Sequence, residues 1–189
     1  ESWVLHEDAD ILVLDKPPGL LVHPMGESWL AKPEAALGDK EPNLAGLLIR
    51  HRPRLLEAGV ERCGIVHRLD RQTSGVWLVA KRPEAQAVLL AGFRERTVRK
   101  VYRAVVLGDP GKTIVDAPVG RPSGRRQVRV TPWGKESKTE FRTISSARGL
   151  ALVEARPRTG RTHQIRAHLA HLGNPVVGDS EWFGERGEI

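Results

Sequence analysis

A single cysteine, Cys63, in 189 residues leaves no partner for an internal disulfide. A disulfide framework is excluded, and a reducing compartment fits. No apolar run is long enough to span a bilayer, and the first residues lack a signal-peptide pattern. The chain is expected to be cytoplasmic, with no membrane partner. Repeats, low-complexity tracts and long charge blocks are also absent, which argues against repeat arrays and disordered tails.

Several catalytic signatures are missing too. His163, His168 and His171 lie close together, but no His-Glu-x-x-His and no cysteine pair accompanies them. They read as helix-surface or RNA-facing histidines, and no metal is expected. Gly111-Lys112-Thr113 resembles the end of a P-loop, yet Val106 occupies the first glycine position and a β-like run follows. No Gly-x-Ser-x-Gly surrounds Ser74, which removes the usual setting of a hydrolase serine.

What is present is a basic chain able to build a core. Hydrophobic residues make up 40%, and Lys+Arg 30 against Asp+Glu 23 gives +7 with neutral histidines. Such a charge suits a polyanionic partner, although a solvated basic surface has the same composition.

Apolar runs place strands at Ile11–Leu14, Val76–Ala80, Val101–Leu107, Val128–Val130, Phe141–Ile144 and Leu150–Arg156. Lys16-Pro17-Pro18-Gly19 makes a stiff turn, and Leu20–Val22 is expected to start a returning strand. Residues 24–43 read as a loop or insertion. Leu44–Ala58 has helical spacing broken at Pro53. A helix opening at Pro83 lines one face with Ala85, Val88, Leu89 and Phe93. Thr162–Leu172 forms another, with Ile165, Leu169 and Leu172 inward and Gly173 as C-cap. Strands joined by short turns outnumber helices, so the fold class is α+β with a largely antiparallel sheet.

Three segments concentrate reactive groups. In Gly64–Gly75, Asp70 lies between Arg68 and Arg71, ahead of Thr73 and Ser74. Such neighbours orient a carboxylate and favour its charged form. An aspartate bonding to its own loop amides gives the same local pattern. In Arg156–His168, Arg156, Arg158, Arg161 and Arg166 crowd a loop and helix. Arg166 is one step round from Ile165, where a guanidinium can enter a cleft; a phosphate or surface role suits it equally. In Arg99–Val105, the lone tyrosine, Tyr102, shares a strand face with Lys100 and Ala104. It can stack on a base or simply keep its hydroxyl in water.

Taken in order, these segments resemble the RluA family of RNA pseudouridine synthases. His67-Arg68-Leu69-Asp70 with Thr73-Ser74-Gly75 is similar to the family's catalytic motif. Asp15–Leu20, followed by Val22-His23-Pro24, is similar to its first motif. Lys100–Ala104 matches its tyrosine motif, and Thr159–Arg166 with Gly173, Pro175, Gly178 and Asp179 its arginine motif. The resemblance covers about Asp15 to Asp179.

It implies a pseudouridine synthase catalytic fold: a mixed, mainly antiparallel central sheet with flanking helices and a cleft between two half-lobes. Residues 1–189 are expected to form a single catalytic domain, monomeric and without a cofactor. The start at Glu1 rather than Met, and the stop soon after Asp179, leave room for further terminal residues. The implied reaction isomerises uridine in RNA, with ribosomal RNA favoured and transfer RNA an alternative.

The resemblance makes Asp70 the essential carboxylate, either attacking the sugar or removing a ribose proton. It pairs Arg166 with Asp70, sets Tyr102 beside the base to assist proton removal from carbon 5, and makes Ile165 an apolar wall. Arg68 fills the space vacated by a flipped nucleotide, and His67 and Arg161 join it as RNA-binding residues. Arg121, Arg125, Arg126, Arg129, Lys135 and Lys138 are expected to grip backbone. The rival from another class is a catalytically silent RNA-binding or RNA-chaperone domain, which has no need of Asp70.

Overall fold

A computed structural model of the protein describes residues 3–24, 26, 28–124 and 127–182. Arg125 and Arg126 lie outside the described residues. The chain divides into two compact units, Glu1–Thr97 and Val98–Ile189.

In the first unit, β1 (Val4–Glu7), β2 (Ile11–Lys16) and β3 (Gly75–Ala80) form an antiparallel sheet in the order β1-β2-β3. Strand alternation turns Leu12, Leu14 and Lys16 of β2 to the same buried side. Pro17 cannot donate to the ladder and ends the strand there. Leu12 and Leu14 pack with Trp77 and Val79 of β3 and with α2 (Leu44–His51), which contributes Leu44, Leu48 and Ile49. Asn43 starts α2: its side chain accepts from the Gly46 N–H at 2.8 Å and donates to the Ala36 carbonyl at 3.1 Å. Pro53 separates α2 from the short α3 (Arg54–Glu57), as the sequence predicts.

Three local expectations need correction. Residues 24–43 are not simply a loop: α1 (Ser28–Ala31) and a 3-10 helix, Pro33–Gly38, bury Trp29 and Ala36 in the core. Single-turn helices are too short to show a period in sequence. Leu20–Val22 is not a returning strand. Both edges of β2 are already taken by β1 and β3, so only an isolated bridge, Leu21 to Asn43, remains. In α4 (Pro83–Arg94), Val88 is exposed and Gln86 is buried instead. The Gln86 amide accepts from the Glu61 N–H at 2.8 Å and donates to the Glu61 carbonyl at 2.7 Å. Those two bonds offset the cost of burying it.

In the second unit, β4 (Tyr102–Leu107), β5 (Lys112–Asp116), β8 (Lys138–Ala147) and β9 (Leu150–Pro157) form an antiparallel sheet in the order β4-β9-β8-β5. Arg148 and Gly149, both at positive φ, make the tight β8–β9 turn that matches strand twist. β6 (Val119–Gly120) and β7 (Arg129–Val130) form a small separate ribbon. Helix α5 (Gln164–His171) lays Leu169 against Val106, Phe141 and Val153. The strand ladders are antiparallel throughout, and the class is α+β, as expected. Among the described residues, no helix is long and apolar enough to cross a membrane.

Candidate active site

The Asp70 loop leaves and re-enters the first sheet within ten residues. Its approach is a left-handed stretch at Arg62, Cys63 and Gly64. Gly64 is pressed against the Ala80 carbonyl, where a side chain has no room. Ile65 then bridges to Val79. Buried Leu69 anchors the loop from within, the Thr73 N–H closes a turn on the Asp70 carbonyl at 3.0 Å, and β3 begins at Gly75. Asp70 is half-buried and Arg68 is exposed at the loop surface.

Lys16 holds this loop from below. Its ammonium is fully buried and donates to the carbonyl oxygens of Pro17 at 2.9 Å, Arg71 at 3.0 Å and Thr73 at 2.8 Å. Three donors meet three acceptors, so the buried charge is hydrogen-bonded in full. Burial pulls the lysine below its ordinary pKa, and the Asp70 charge acts in the opposite direction. The Gly19 N–H adds a bond to the Arg71 carbonyl at 2.8 Å. Arg71 itself forms a surface ion pair with Glu41. The first motif thus acts on the catalytic motif through backbone carbonyls. In the sequence Lys16 stands in the Lys16–Gly19 turn and in the first motif; its alternation with Leu12 and Leu14 is the one signal that it faces inward.

His67 is engaged with the protein. Its Nε2 accepts from the Leu78 N–H at 2.9 Å, its carbonyl accepts from Trp77 Nε1 at 3.1 Å, and its ring stacks on Phe93 with centroids 4.9 Å apart. These contacts give it a part in fixing the loop to β3 and α4. Cys63 is buried, and burial with the nearby Glu34 charge pushes its thiol up to about 11. It is therefore an inert thiol, not a nucleophile.

In the second unit, Tyr102 is the first residue of β4 and packs against that unit's core. Ile165 packs against the same core from α5. Lys100 donates to the Thr159 carbonyl at 3.0 Å, tying the tyrosine segment to the arginine motif. The pivot of that motif is Gln164. Its Oε1 accepts from the Thr159 hydroxyl at 2.7 Å and from the Arg161 N–H at 3.0 Å. Its Nε2 donates to the Lys138 carbonyl at 3.1 Å and the Thr139 hydroxyl at 2.9 Å. All four bonds of the buried amide are made, which fixes the start of α5 where Ile165 and Arg166 emerge. The Arg161 guanidinium donates to the Glu136 carbonyl at 3.2 Å.

Arg166 makes a two-pronged pair with Asp179, Nε to Oδ2 at 2.6 Å and a terminal nitrogen to Oδ1 at 2.8 Å. Glu181 lies 3.3 Å from the same terminal nitrogen, and the guanidinium carbon is 4.6 Å from the Trp182 ring centroid. The Asp179 side chain is almost completely buried. The resemblance pairs Arg166 with Asp70; within its own unit Arg166 is held by Asp179 and Glu181.

The histidine cluster has a structural member. His168 is fully buried, hydrogen-bonded to the Thr139 hydroxyl at 2.9 Å and the Ala117 carbonyl at 3.0 Å. This corrects the expectation of a helix-surface or RNA-facing role for it. Burial lowers its pKa, partly opposed by the Ala117 bond. Among the described residues, no group of three or more His, Cys, Asp or Glu side chains is arranged to hold a metal. Of the expected backbone cations, Lys138 is engaged by Asp116 at 2.8 Å and Arg129 Nε donates to Gln127 at 2.7 Å.

A family described as RNA pseudouridylate synthase matches residues 10–171. The chain belongs to the RNA pseudouridylate synthase family. Among its relatives is a ribosomal large subunit pseudouridine synthase D of Pseudomonas aeruginosa, 41% identical over 97% of this chain and 54% of the relative. The synthase D of Nitrosomonas europaea is 40% identical over 93% of this chain and 48% of the relative. The chain thus spans about half the length of these synthases. The solved structure of human RNA pseudouridylate synthase domain containing 4 superposes with a TM-score of 0.66 at 28% identity, covering 96% of this chain and 69% of that one. Human RNA pseudouridylate synthase domain containing 1 shares the fold, with a TM-score of 0.71 at 24% identity over 97% of this chain and 72% of that one.

Proposed function

We propose that this synthase domain isomerises specific uridines to pseudouridine in structured RNA, with ribosomal RNA the favoured substrate and Asp70 the essential carboxylate. The observation that carries the reading is the Asp70 loop, held at the Arg71 and Thr73 carbonyls by a fully buried lysine whose third bond goes to Pro17. A loop that serves only to connect strands has no need of so costly an anchor, whereas a catalytic carboxylate must be held to a fraction of an ångström. The names of the synthase D relatives support ribosomal RNA over transfer RNA.

In this reading the uridine flips out of its stack, at a cost of a few kcal/mol that new contacts recover. Exposed Arg68 occupies the vacated space, since a guanidinium plane stacks on bases and pairs with phosphates. Asp70 either bonds to the ribose or removes a proton from it, and either step needs the carboxylate ionised. The glycosidic carbon–nitrogen bond breaks, the base turns, and a carbon–carbon bond forms through carbon 5. Tyr102 lies beside the base and assists loss of the carbon 5 proton, Ile165 walls the base, and Arg166 keeps Asp70 charged. Arg161, with Arg121, Arg125, Arg126 and Arg129 of the basic run, contacts backbone phosphates. His67 supports the loop from within. The domain acts in the cytoplasm, as a monomer, without a cofactor.

The test is incubation with unmodified large-subunit ribosomal RNA and, separately, unmodified transfer RNA, followed by digestion and nucleoside chromatography. Pseudouridine from the ribosomal substrate supports the reading. Pseudouridine from transfer RNA alone reassigns the substrate. Tight binding without pseudouridine favours the silent RNA-binding domain.

A further inference from the structure

Among the described tryptophans Trp29, Trp77 and Trp182 are buried and Trp3 is 41% exposed, whereas Trp133 stands almost wholly in solvent at 94%. Single apolar residues on a surface are ordinary. Two features set Trp133 apart: the rigidity of the turn that carries it, and the charge around that turn.

The turn is Thr131-Pro132-Trp133-Gly134, closed by the Gly134 N–H on the Thr131 carbonyl at 2.9 Å. Pro132 fixes the backbone before the tryptophan. The Thr131 N–H donates to the Pro118 carbonyl, and Lys135 and Val119 exchange both backbone bonds, each at 2.9 Å. Gly134 lies flat on the backbone of β6. A Cβ there would stand 2.6 Å from the Val119 carbonyl carbon and 2.9 Å from the Gly120 nitrogen. The backbone that carries Trp133 is therefore held in place, and its indole extends from it into solvent.

The sequence around it is cationic. Between residues 119 and 136 the sequence carries Arg121, Arg125, Arg126, Arg129 and Lys135 against one acid, Glu136. Arg121 and Lys135 are exposed, each next to a residue of the anchored ribbon. An aromatic plate held rigid beside lysine and arginine matches a strand with phosphates on its edge and flat bases between them. An apolar protein partner would match the indole but not the cations.

We propose that Trp133 is a stacking platform for an unpaired base of the substrate RNA, with Arg121 and Lys135 on the adjoining phosphates. This rests on the RNA-modifying reading above and adds to it a contact for RNA outside the Asp70 loop. Stacking needs the face of a base, so the platform takes single-stranded or bulged nucleotides rather than perfect duplex.

The experiment compares the full chain with Trp133→Ala, Trp133→Phe and Lys135→Ala, using a large-subunit ribosomal RNA transcript tritiated at carbon 5 of uridine. Filter binding at several salt concentrations gives Kd, and tritium release gives KM and kcat. Trp133→Ala is expected to raise Kd and KM roughly 5- to 100-fold, leaving kcat, the melting temperature and the salt slope unchanged. Trp133→Phe, which keeps a π-face, stays within about threefold of wild type. Lys135→Ala instead lowers the salt slope by about one. Trp133→Ala with wild-type Kd and KM overturns the platform, as does an equal loss in Trp133→Phe. Unchanged RNA affinity with lost binding to phosphatidylglycerol vesicles would reassign the indole to a membrane surface. Wild-type binding without tritium release, with the Trp133→Ala loss intact, preserves the platform and contradicts the catalytic reading. Failure of the wild type in both assays overturns both.

Discussion

The ammonium of Lys16 donates to the carbonyl oxygen of Thr73 at 2.8 Å, across 57 residues of sequence. With its bond to Arg71 it spans the segment just beyond Asp70, so the first motif and the catalytic motif form one structural unit. Removing this amine takes a donor from the carbonyls of Pro17 and Thr73, a loss of about 1–3 kcal/mol each when water cannot replace it, while that of Arg71 keeps the Gly19 N–H. Lys16→Met is therefore expected to lower stability by at least about 2 kcal/mol. It should reduce kcat more than RNA affinity, because the loop that loosens carries the carboxylate. Denaturant unfolding and tritium-release kinetics read the two effects; wild-type values in both contradict the anchor.

Asp179→Asn removes the charge that orients Arg166 while keeping the shape. Arg166 retains Glu181, so the stability cost is expected to be modest, about 1–2 kcal/mol. On the role proposed for Arg166, turnover is expected to fall at least about tenfold, since a catalytic group misplaced by an ångström loses most of its effect. RNA affinity should change little. Equal losses in kcat and affinity would place Asp179 in RNA contact instead.

Gln164→Glu tests the arginine motif's pivot. A carboxylate still accepts from Thr159 and Arg161 but cannot donate to the Lys138 carbonyl. Destabilisation of about 2 kcal/mol or more is expected in denaturant unfolding, because a charge is also buried. A change near zero would mean that the amide network does not hold the helix start.

His168 gives the stability profile a pH dependence. In the fold it binds a proton less readily than in the unfolded chain, where its value is near 6.5. The unfolded state thus takes up more protons as pH falls, and stability drops from about 6.5 downward through the lower folded value. Above that window the contribution is complete. Urea midpoints between pH 5 and about 8 should show this slope in the wild type and a flatter one in His168→Gln. Identical slopes would remove His168 as the cause.

These predictions rest partly on residues that the sequence exposed and partly on ones it hid. The four motifs stand in the chain in order, and β2, β3, β4, β9, α4 and α5 carry clear periodicity, so family and class were legible. Lys16 was hidden because a lysine after an apolar run reads as a turn, and only the sheet register turns it inward. Gln164 and Asp179 stand in the arginine motif, but what they do depends on groups 26 and 13 residues away. Trp29 and Ala36 were missed because one-turn helices have no period. Gln86 was missed because a polar residue on a helix is assigned to solvent unless its partner, here Glu61, is known.

The central claim is that Asp70 drives exchange at carbon 5 of uridine. The decisive measurement is tritium release from large-subunit ribosomal RNA labelled at that carbon, comparing the wild type with Asp70→Asn at matched RNA occupancy. The account predicts release by the wild type and none above background from Asp70→Asn, with RNA affinity preserved. Equal release by both proteins, or none from a wild type that binds the RNA, would contradict it.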